Sequence, residues 1–189
     1  MASCEPLLIS TKKKMIIGDP YKIAFWIDIV PKWNDDDSTW INGIFSFCIN
    51  GKIYPCVDTS TLNSDLSALL NAWHSCSMPC DNESLFHASK IDALRYLLKI
   101  TYPTIGEQSC KYKLSTQTIE DNDVYLFIFA NKNEVRILIA TVPNYNGSLE
   151  IDETKIDEVI IAKSEVCFMV SELDSYYQKI INNKWLNRP

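Results

Sequence analysis

Histidine and glycine are scarce in this 189-residue chain, basic residues are outnumbered by acidic ones, and long apolar runs are missing. Two histidines, His74 and His87, leave few ways to assemble imidazole catalysis. Five glycines could barely build a phosphate-cradling loop or a dinucleotide fingerprint, and neither pattern occurs. A GxSxG elbow and an HExxH zinc motif are missing too. With no run of about 18 apolar residues, no segment reads as a bilayer-spanning helix. The early apolar run from Leu7 to Ile9 is far shorter than the roughly 7 to 15 residues of a secretory core, and Lys12, Lys13 and Lys14 follow it rather than precede it. The expected compartment is therefore the cytoplasm, with the seven cysteines as thiols.

The remaining composition describes one ordinary globular domain, 47% hydrophobic and 22% charged. Eighteen Lys and Arg stand against 24 Asp and Glu, a net charge of -6. Repulsion from phosphate backbones makes nucleic acid an unsuitable partner, and nothing suggests a membrane. A charged partner is expected to be basic.

Regular patterning begins at Met15, so Met15 reads as an alternative start and residues 1–14 as a loose N-terminal extension outside a domain of residues 15–189. Ile23, Phe25, Ile27 and Ile29 alternate as one face of a strand that Pro31 closes. Apolar runs on both sides of Asn50-Gly51 predict a β-hairpin with a type I′ turn, and Gly43 is read as a bulge. Leu62, Leu66, Leu69, Leu70 and Trp73 fall on one helical stripe, with Thr61 or Asn63 as cap. A second helix is expected from Glu83 to about Ile100, capped by Asp81 or Asn82. Tyr112 to Thr118 reads as a weak strand, Val124–Ala130 and Val135–Val142 as strong ones, and Val159–Ala162 as a short one. Val166, Met169, Val170, Leu173, Tyr177 and Ile180 mark a last helix, capped by Ser164. Strands and helices are grouped rather than alternating, which predicts an α+β fold: an antiparallel sheet with helices packed on one face.

Two clusters bear on function. His74, Cys76, Cys80 and His87 are zinc-compatible ligand types within 14 residues, the basis of an alternative reading as a small metal-binding enzyme or regulator. Their spacing matches no standard knuckle, and His87 is expected to border the core and pair with Glu83. The other cluster is acidic. Residues 120–158 hold nine acids against three bases, Glu150, Asp152, Glu153, Asp157 and Glu158 among them. Asp35, Asp36 and Asp37 add an anionic loop flanked by Trp33 and Trp40. Acidic loops beside aromatics suit docking of a cationic protein, with charge steering the encounter and aromatics anchoring it. Solvated acids and core tryptophans are the simpler alternative. Calcium is not expected at three adjacent carboxylates.

The stretches Met15-Ile-Ile-Gly-Asp-Pro-Tyr-Lys-Ile-Ala-Phe25, Trp40-Ile-Asn-Gly-Ile-Phe-Ser-Phe47, Ile49-Asn-Gly-Lys-Ile-Tyr-Pro55 and Thr61-Leu-Asn-Ser-Asp-Leu66 resemble the immunity protein 42 family of bacterial polymorphic toxin and contact-dependent inhibition loci. The resemblance is clearest over residues 15 to about 70 and extends to the remainder in general layout. It implies an α+β immunity protein that binds and neutralises the C-terminal toxic domain of a delivered effector in the cytoplasm. It implies no catalytic residue and no cofactor. Many such toxins are nucleases, whose basic clefts an acidic inhibitor would block.

Overall fold

In the computed structural model, which describes residues 14–35, 39–56, 58–143, 145 and 151–182, the alternating apolar run of β2 (Ile23–Ile29) is the spine of a first sheet. It pairs antiparallel with β1 (Lys14–Asp19) and β3 (Asn42–Ile49); β3 pairs in turn with β4 (Lys52–Tyr54) and the short β5 (Ser60–Thr61). Asn50 and Gly51 turn β3 into β4 with φ angles of 51° and 77°, the positive values that a type I′ turn requires. Gly43 makes no bulge. It stays in continuous register with Ile29, and a Cβ there would run into the Asp28 carbonyl and come within 2.7 Å of Leu62 Cδ1. Glycine is needed for the close approach of helix and strand.

A second antiparallel sheet runs β6 (Val124–Asn131), β7 (Glu134–Thr141), β8 (Ile156–Ala162). Successive side chains of β6 leave on opposite faces and both faces are buried. Leu126 and Ile128 join the core that the first sheet shares with α1 (Leu62–Ser75) and α5 (Lys163–Asn182). Tyr125, Phe127 and Phe129 join a separate core with α2 (Glu83–His87) and α3 (Lys90–Thr101). The chain is thus a single α+β domain, as the sequence predicts, but its strands form two sheets instead of one. Helices cover both faces of the smaller sheet.

The expected helix from Glu83 to Ile100 is broken in two. Asn82 caps α2 by accepting from Leu85 N at 3.0 Å, and Ser89 opens α3 as a second cap, its hydroxyl accepting from Asp92 N and donating to Asp92 Oδ2. Thr61 stands at the start of α1 without a side-chain capping bond, while Asn63 Oδ1 accepts from Ile41 N. Ser164 lies inside the first turn of α5, which follows β8 directly. Tyr112 to Thr118 is no strand. Its first part lies along β6, with Ile128 N donating to Tyr112 O and Leu114 N to Leu126 O, and it leads into α4 (Gln117–Glu120). That segment covers the β6 edge.

Candidate functional site

The loop from β2 to β3 is built on Asn34. Its amide donates to the carbonyls of Val30 and Asn42, its oxygen accepts from Asn42 N, and the Asn42 side chain donates to Trp33 O. The knot holds the segment against the sheet end and leaves Trp33 and Trp40 outside the core, 44% and 57% exposed. Asp35 is exposed beside them. Asp36 and Asp37, like Glu150 and residues 1–13, lie outside the described residues.

The later acids have work within the fold. Asp152 caps the 3-10 turn at Glu153–Lys155, accepting from the Thr154 amide and hydroxyl, and these bonds hold its carboxyl below the usual range. Asp157 accepts from Lys52 Nζ at 2.8 Å and from the Tyr54 hydroxyl, joining β8 to β4. Burial by itself would raise the Asp157 carboxyl, but the Lys52 and Tyr54 donors outweigh it and lower it. Glu158 pairs with Arg136 at 2.7 Å. Arg136 is buried and its guanidinium also donates to the carbonyls of Phe86 and Ala88 at 2.8 and 2.6 Å, satisfying the C-terminal end of α2. Of the described candidates, Trp33, Asp35, Trp40, Asp152 and Glu153 keep the outward placement that docking would use, Asp152 while also capping its turn. The carboxylates of Asp157 and Glu158 are spoken for.

His74, Cys76, Cys80 and His87 do not converge. Among the described residues no group of three or more His, Cys, Asp or Glu side chains could hold a metal ion. His87 Nε2 meets the Asn131 amide at 3.2 Å rather than Glu83, and Cys80 Sγ contacts Cys76 O. Burial pushes the Cys80 thiol up, away from nucleophile chemistry.

Sequence reasoning missed a cleft at the opposite end of β2. The turn Asp19–Lys22 is fixed by Lys22 N donating to Asp19 O and Tyr21 N to Asp19 Oδ1, and is bonded to the neighbouring hairpin through Gly51 N to Pro20 O and Asn50 N to Lys22 O. Beside it opens a cleft of about 170 Å³, floored by Ile23, Ile161 and Met169, walled by Phe168 and rimmed by Asp19, Lys22 and Glu165. Tyr21 and Phe168 are 82% and 65% exposed. The available signal was Phe168 lying off the apolar stripe of α5, and an aromatic in a Pro-Tyr-Lys turn.

Among described residues no helix is long and apolar enough to cross a membrane. No curated protein matches the chain. A crystal structure of CdiI from Burkholderia dolosa AUO158 is similar, with a TM-score of 0.71 and 23% identity over 86% of this chain and 99% of that one, which shows a shared fold. Residues 15–176, from the first strand into the last helix, match the model of the family Immunity protein 42, and the chain belongs to that family.

Proposed function

We propose that this protein neutralises the toxin domain at the C-terminus of a contact-dependent inhibition effector by binding over its working surface, in the cytoplasm of the cell that makes both. The observation that carries the reading is the family match over residues 15–176, and the fold shared with a CdiI supports it. The action is stoichiometric covering, with no substrate turned over and no cofactor required. A net charge of -6 suits a basic partner, a nuclease domain being the leading case, because a nuclease needs a cationic cleft to hold its substrate. Trp33, Asp35, Asp36, Asp37, Trp40, Glu150, Asp152 and Glu153 are proposed as contacts; Asp157 and Glu158 would contribute field rather than free carboxylates. The interface is expected to bury roughly 1,600 Å² or more.

Co-expression tests this. Cells producing the toxin domain encoded beside this gene are expected to stop growing without this chain and to grow normally with it. Arrest that continues despite abundant folded protein would overturn the reading.

A further inference from the structure

The cleft beside Phe168 is too small for a metabolite. Small-molecule sites enclose roughly 300 to 1,000 Å³, whereas this one measures about 170 Å³. A cavity of about 150 Å³ takes a group the size of benzene, so the space matches one side-chain end. Its surroundings specify which kind. The floor of Ile23, Ile161 and Met169 suits an aliphatic stem. The rim offers two carboxylates, Asp19 and Glu165, against one ammonium, Lys22, and neither carboxylate has an ion-pair partner among the described residues. The Phe168 ring forms a wall on which a guanidinium can stack. Tyr21 stands on the adjoining turn, itself held by four hydrogen bonds, so little ordering cost accompanies contact there. Gly18 keeps the floor open: its φ is 104°, and a Cβ would lie 2.7 Å from Met169 Cε.

We propose that this cleft receives a basic side chain, arginine by its fit, from the toxin domain, with Tyr21 and Phe168 as the aromatic anchors of that contact. The inference rests on the immunity reading and adds to it a docking point at the other end of β2 from Trp33 and Asp35.

Binding of the toxin domain encoded beside this gene, measured by titration calorimetry on folded full-length variants, tests it. Tyr21→Ala with Phe168→Ala is expected to weaken binding by roughly 30-fold or more, the loss typical of paired hot spots. Asp19→Asn with Glu165→Gln preserves the turn and removes the charge, and is expected to weaken binding about 10-fold. Phe168→Lys, on the surface of α5, reads the same site through repulsion and is expected to weaken binding at least as much. Tyr96→Ala with Ile105→Ala, exposed apolar residues of α3 and the loop after it, is expected to bind as wild type does. If both the aromatic pair and Phe168→Lys bind within about threefold of wild type, the cleft is no anchor, although protection by wild type keeps the immunity reading. If the aromatics matter and the carboxylates do not, the occupant is apolar and the cationic assignment is wrong. A wild-type chain that neither binds nor protects removes both readings together.

Discussion

Arg136 is a buried cation with its donors divided between Glu158 and the last carbonyls of α2, so a single side chain joins β7, β8 and the second core. Arg136→Ala would strand these acceptors, and a loss of about 3 kcal/mol is expected as a fall in the urea midpoint. Arg136→Lys should recover only part of it, because an ammonium cannot reproduce the guanidinium fork. Asp65 presents the opposite case. It is 3% exposed and its Oδ2 has no partner; burial raises its carboxyl, while the hydroxyls of Thr116, Thr118 and Ser60 offset this in part. A carboxyl with a raised folded pKa holds its proton more tightly when folded, so stability falls as pH climbs from the unfolded value of about 3.9 through the raised one. Asp65→Asn is therefore expected to melt higher than wild type at pH 7. That advantage should vanish below about pH 4, where both side chains are neutral. Thermal melts across this range check the sign.

Gly43 fixes how closely α1 approaches the first sheet. With the Asp28 carbonyl and Leu62 both inside the space a Cβ would take, Gly43→Ala is expected to cost about 1 to 3 kcal/mol, measured by denaturant unfolding. At this scale the sequence was informative where local chemistry decides. The alternation of β2, the Asn50-Gly51 turn and the stripes of α1 and α5 all reside in consecutive residues. The break between α2 and α3 was also local, written in Ser89 and Asp92, but the apolar stripe masked it. What could not be read was pairing at a distance. Asp157 meets Lys52 across 105 positions and Tyr54 across 103, so an acid that looks free in the sequence is engaged in the fold. Tyr112 to Thr118 resembles a strand because it borders β6 without becoming part of the sheet's regular ladder.

For the molecule as a whole, this acidic chain and the basic partner proposed for it should associate faster at low ionic strength. The association rate is expected to fall as salt rises from about 0.01 M to 1 M, where the screening length shrinks from roughly 30 to 3 Å, while the dissociation rate changes little. Stopped-flow mixing checks this, and an unchanging rate would remove acidic steering. Charge reversal at Asp35, Asp36 and Asp37 should slow association more than the same change at Asp157 and Glu158, whose carboxylates already face internal cations.

The second sheet, β6 to β8, covered by helices on both faces, also governs how the protein can come apart. Its strands are a party wall: Leu126 and Ile128 belong to one room, Phe127 and Phe129 to the other. Neither room can be opened without weakening the other, so partial melting gains little and the chain is expected to unfold in one step, with coincident transitions by tryptophan fluorescence and circular dichroism as the check. An immunity protein built this way would be either wholly ready or wholly absent.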